Sequence, residues 1–126
     1  MEKADVIKRL RDFGYEYKEA ESSDSLDFAI SKTTWCILNA TNCAEIPEGL
    51  NFIAIDMVCA EFLKIKKGFG QLTEVVFEKV AKSVEMGDTN VTFADEATPE
   101  QKFDAAINHL LTGHEDDFSR YRKMVW

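Results

Sequence analysis

Apolar residues recur along this chain at three- and four-residue intervals in most segments and at two-residue intervals in one. The first spacing marks helices with one buried face, the second a strand. In "ADVIKRLRDFG", Val6, Ile7, Leu10 and Phe13 share a face, and Gly14 suits the left-handed residue that ends a helix. "YEYKEAESSD" then reads as a polar connection ending in Ser and Asp that cap the next helix. In "SDSLDFAISKTTWCILNATN", Leu26, Ile30, Thr33 and Ile37 form one stripe and Phe28 and Trp35 mark another. A helix with two apolar faces packs between neighbours or into a partner.

The longest and most buried helix is expected in "IPEGLNFIAIDMVCAEFLKIKKG". Pro47 and Glu48 suit its first turn, and Lys64, Lys66 and Lys67 precede the terminating Gly68. Phe52, Ile55, Cys59 and Phe62 repeat at helical spacing, as do Leu50, Ile53, Met57 and Ala60. "FGQLTEVVFE" reads either as a loose loop or as an extended lead-in. From Val80, "VAKSVEM" alternates, "GD" turns, and "TNVTF" continues, which predicts a β-hairpin over residues 80–93. "TPEQKFDAAINHLLTG" opens with a capping box, Thr98 with Gln101, and Pro99 in the first turn. Phe103, Ala106, Ile107, Leu110 and Leu111 form its buried face. "HEDDFSRYRKMVW" closes the chain as a short helix or helical turn, with Phe118, Tyr121, Val125 and Trp126 as apolar anchors. The fold class expected is mainly α: one domain over residues 1–126, a bundle of about four to five helices with one projecting hairpin.

Charge narrows the function classes. The net charge of −8 disfavours binding to nucleic acid, which depends on Lys and Arg neutralising phosphates. The longest apolar run, "GLNFIAIDMVCAEFL", is interrupted by Asp56 and Glu61 and is too short to span a bilayer. "MEKADVIKRLRD" is too charged for a secretory leader, so a cytosolic protein at synthesis is expected and the sequons at Asn39 and Asn90 go unused. An odd count of 3 cysteines (Cys36, Cys43, Cys59) argues for free thiols.

Residue chemistry points away from catalysis and cofactors. His109 and His114 are separated by the helix-breaking Gly113, unlike paired metal ligands on one helix face. Neither Cys36 nor Cys59 has the basic surroundings that activate a thiol. "DTNVTFADEATP" fails as a calcium loop, with Phe93 at the glycine position and Pro99 at that of the bidentate glutamate. No phosphate-cradling glycine loop is present. Three features exceed the domain's own needs: the hairpin, the second apolar face on the second helix, and the ending "YRKMVW". Tyr, Trp and Arg are the residue types that dominate protein contacts.

The order of these features resembles the head–tail connector (adaptor) family of tailed phages and prophage-like elements of Gram-positive bacteria. The similarity runs over residues 24–126. Its most specific parts are Ser83, Gly87, Asp88, Thr89, Val91 and Phe93, and then Tyr121, Arg122, Lys123 and Trp126. The resemblance implies a non-catalytic adaptor without cofactor or metal, in a ring of about twelve copies beneath the portal protein, where head-to-tail contacts close the rotation. Such a ring extends the DNA channel, touches DNA only in passage and presents a platform to the next neck or tail component. Its place is the virion neck, after synthesis in the host cytoplasm, with no membrane involved. Carried onto this chain, the resemblance makes Ser83, Met86, Asp88, Val91 and Phe93 the ring-contact candidates. It makes Phe118, Tyr121, Arg122, Lys123 and Trp126 the portal-docking candidates, within a docking segment at residues 115–126. An acidic wall also suits a channel through which DNA slides. The alternative class is a small phage-encoded regulatory module that sequesters a host protein through the same helical faces.

Overall fold

The computed structural model describes residues 1–87 and 92–124. Helices α1 (Lys3–Asp12), α2 (Glu19–Thr41), α3 (Asn51–Gly68), α4 (Glu74–Gly87), α5 (Pro99–Leu111) and α6 (Glu115–Tyr121) follow in order, with a 3₁₀ turn at Glu48–Leu50 leading into α3. α3 lies at the centre. It packs against α1, α2 and α5; α4 pairs with α5, and α6 lies on α2. A mainly helical bundle is therefore the architecture, and no strand occurs among the described residues.

The main core is built where the helical stripes converge. Val6, Leu10 and Phe13 of the first segment meet Leu26 and Ala29 of α2, Val58, Phe62 and Leu63 of α3, and Phe103 and Ala106 of α5. Phe62 is fully buried, and Tyr15 meets it edge-on with centroids 5.2 Å apart. Gly14, at φ 87°, ends α1 as expected: its N–H donates to Arg11 O while Tyr15 N–H reaches Leu10 O. The capping box of α5 also forms, with Gln101 N donating to Thr98 Oγ1 (3.2 Å) and Thr98 N to Gln101 Oε1 (3.0 Å).

The expected hairpin does not form. Its first half is the C-terminal half of α4, whose buried residues are Val80, Ala81 and Val84, with Val76 and Phe77 partly buried against the same core. That set has the 3.6-residue period; the alternation holds only when counting begins at Val80. Thr73 starts the helix, its Oγ1 accepting from Val76 N and its carbonyl from Phe77 N. Of the ring-contact candidates, Ser83 and Met86 thus lie on a helix, and Phe93 packs against the core in an irregular segment. Asp88 and Val91 lie outside the described residues.

Three smaller expectations also change. α2 begins at Glu19, so Ser23 and Asp24 are inside the helix rather than capping it. Packing extends it backwards: Ser22 is buried within hydrogen-bond distance of Tyr15 Oη (3.3 Å), and Lys3 of α1 grips Ser23 and Asp27. At 23 residues α2 also exceeds the 18 of α3, although α3 is the more buried. Phe52, expected in the core with Ile55, Cys59 and Phe62, stands 83% exposed at the start of α3.

Candidate interaction surfaces

Residues 115–124 are folded onto the body of the protein. α6 carries Phe118 into a second core cluster with Ile37, Leu50, Ala54 and Met57. At its N-terminus, His114 Nε2 lies 2.8 Å from Leu110 O. Beyond Tyr121 the backbone becomes extended at Arg122 and runs past the C-terminal end of α2. There it meets carbonyls that a helix end leaves without internal partners. Arg122 Nε donates to Ala40 O (2.8 Å), Lys123 N to Thr41 O (2.7 Å), and Asn42 Nδ2 returns a bond to Lys123 O (3.1 Å). The Arg122 guanidinium also pairs with Glu115 at 2.6 Å, and Cys43 Sγ donates to Tyr121 O at 3.3 Å. Asn42, at φ 54°, is the left-handed residue that lets the chain leave α2 beside this contact.

What remains accessible is narrower than the sequence suggested. Phe118 is buried, Arg122 and the Lys123 backbone bind α2 although both residues are exposed, and Tyr121 and Met124 are exposed as well. Trp126 lies outside the described residues. A groove of about 490 Å³ opens between this segment and the α2–α3 connection, lined by Cys43, Ile46, Pro47, Glu48, Tyr121 and Lys123.

A second surface is the outer side of α2. Its buried residues (Leu26, Ala29, Thr33 and Ile37) face α3, and Phe28 and Trp35 fall on the opposite side, 60% and 66% exposed. They are two helical turns apart, about 10 Å along the axis. No helix of the described chain covers them, so the second apolar stripe seen in the sequence is real and solvent-facing. Met86, at the end of α4, is likewise exposed.

A third feature is a cleft of about 230 Å³ that gathers Arg9, Asp56, Ser83, His109 and His114. Sequence spacing did not bring these histidines together; the turn at Gly113, φ 79°, does. Arg9 Nε is bound to Asp56 Oδ1 at 2.8 Å and its guanidinium lies 4.4 Å from the Phe13 ring centroid. No group of three metal-ligating side chains occurs among the described residues. Cys59 is buried, its thiol pushed well above the usual range by burial and, secondarily, by Asp56. That favours the protonated, unreactive form. No helix among the described residues is long and apolar enough to cross a membrane.

No family model matches the chain, and no curated protein or solved structure does so either.

Proposed function

We propose that this chain is a structural adaptor that assembles as a ring beneath a phage portal and joins the head to the neck or tail. The reading starts from the ordered resemblance of residues 24–126 to head–tail connectors. The observation that supports it best is the uncovered pair Phe28 and Trp35. A folded domain with its own two core clusters leaves a second aromatic helical face in water, as a subunit surface does. In this reading the outer side of α2 replaces the hairpin as the ring-contact surface. The C-terminal segment remains the portal-docking surface, with Tyr121, Lys123 and Trp126 as its contact residues. The protein's work is mechanical: the ring closes, docks and lets DNA pass a net-acidic wall.

Co-sedimentation with assembled portal rings of the same phage or prophage element tests this. A chain ending at Arg120 is the appropriate comparison, because it keeps Phe118 and the second core cluster. Binding by the full chain and loss by the shortened one is the expected result. If the full chain fails to bind intact portal rings and stays monomeric at all concentrations, the adaptor reading falls, and sequestration of a host protein takes its place.

A further inference from the structure

Gly49, in the 3₁₀ turn before α3, lies directly under the ring of Tyr121. A β-carbon at that position would stand 1.9 Å from the Tyr121 hydroxyl oxygen and 2.6 Å from Cζ. The next nearest atom is again of Tyr121, Cε1 at 3.1 Å. Gly49 is not among the glycines with positive φ, so its backbone accepts an alanine, and the three atoms nearest to such a side chain all belong to Tyr121. Tyr121 is the last residue of α6, and the residues after it bind Ala40 and Thr41. The ring over Gly49 and the bonds of Arg122 and Lys123 to the end of α2 thus fall on three consecutive residues.

We infer that Gly49 is a positioning residue for the C-terminal segment, holding Tyr121, Arg122 and Lys123 as a preformed surface before any partner arrives. Its role in docking rests on the adaptor reading above; the preformed order does not. A surface already ordered spares the partner the entropy of ordering a tail. The polar contacts of Arg122, Lys123 and Asn42 make that order specific, and the space left by the absent Cβ admits the ring that anchors it.

Amide hydrogen exchange on the free full-length chain decides the first part. The Lys123 N–H, bonded to Thr41 O, is expected to exchange at least about tenfold slower than an unstructured amide. Gly49→Ala is expected to remove most of that protection, as is Tyr121→Ala. The double variant G49A/Y121A is expected to be no faster than Y121A alone, because the three atoms nearest to the added methyl are then gone. Additive effects would mean that Gly49 acts through the turn itself, and an unprotected Lys123 amide in the natural chain would remove the preformed surface altogether. Circular dichroism of G49A should retain the helical signal, since Tyr121 is the last residue of α6 and the change falls at the helix end.

The second part is read with portal rings. G49A is expected to bind about tenfold more weakly than the natural chain, the loss that comes with disordering a bound surface. If the natural chain binds and G49A binds equally while its Lys123 amide exchanges freely, the positioning role in docking is wrong. If the natural chain does not bind at all, the adaptor reading fails, and the exchange data still decide whether Gly49 orders the segment.

Discussion

Thr33 faces the core from the middle of α2 at 2% exposure, and its Oγ1 has no hydrogen-bond partner among the described residues. A buried hydroxyl left unpaired costs its desolvation without return. Thr33→Val keeps the shape and removes the hydroxyl, so a stabilisation of about 1 kcal/mol is expected, read as a higher urea midpoint at unchanged slope. Phe118 and Tyr121 divide the docking candidates at the same scale. Phe118→Ala opens a cavity in the second core cluster and is expected to cost about 3 kcal/mol of folding stability. Tyr121→Ala truncates an exposed ring and is expected to cost less than about 1.5 kcal/mol, with its effect falling on docking instead. Thermal denaturation of the two variants separates an internal anchor from a contact residue.

At the scale of elements, α4 is where the sequence misled. Seven residues from Val80 alternate well enough for a strand, and the glycine–aspartate pair after them looks like a turn. Val76 and Phe77 extend the pattern backwards into a helix, and Thr73 followed by Glu74 is a readable helix start. Period-two and period-3.6 patterns overlap over a single turn or two, so only the longer window tells them apart. Lys82→Pro provides a check: on an exposed helix interior it is expected to cost about 3 kcal/mol and shorten the helical signal, whereas an edge strand would tolerate it better. The capping box of α5, the glycine stop of α1 and the buried face of α3 apart from Phe52 were legible because each depends on neighbours in sequence. The early start of α2 depends on Lys3 and Tyr15, residues of other segments. The seating of the C-terminal segment depends on Gly49, more than seventy residues away, and no local pattern announces it. The outer face of α2 was legible, since Phe28 and Trp35 break a stripe that otherwise accounts for burial.

For the whole molecule, polar clamps tie the helices in pairs. Lys67 of α3 binds Glu100 (3.1 Å) and Asp104 of α5 and lies 5.9 Å from the Phe103 ring centroid. Lys3 of α1 binds Asp27 (3.0 Å) and Glu19 (3.3 Å) of α2. The Glu19 carboxyl is held below its ordinary 4.5 by the Tyr17 hydroxyl first, then by Ser23 and Lys3. A carboxyl with a lowered folded value adds stability above its ordinary value and loses it as pH falls through the lowered one. Glu19→Gln is therefore expected to lower the unfolding midpoint at neutral pH, and the difference should shrink as pH falls through the lowered folded titration. The exposed stripe of α2 has a different consequence at this scale. Copies bearing −8 each repel one another in dilute buffer, which keeps the bare aromatics of Phe28 and Trp35 from meeting. Raising salt from about 0.01 M to about 1 M shrinks the reach of that repulsion from roughly 30 Å to roughly 3 Å while leaving the attraction between the rings in place. The purified chain should consequently be colloidally quiet at low ionic strength and grow in light-scattering mass as salt is added. Trp35→Asp should abolish the growth.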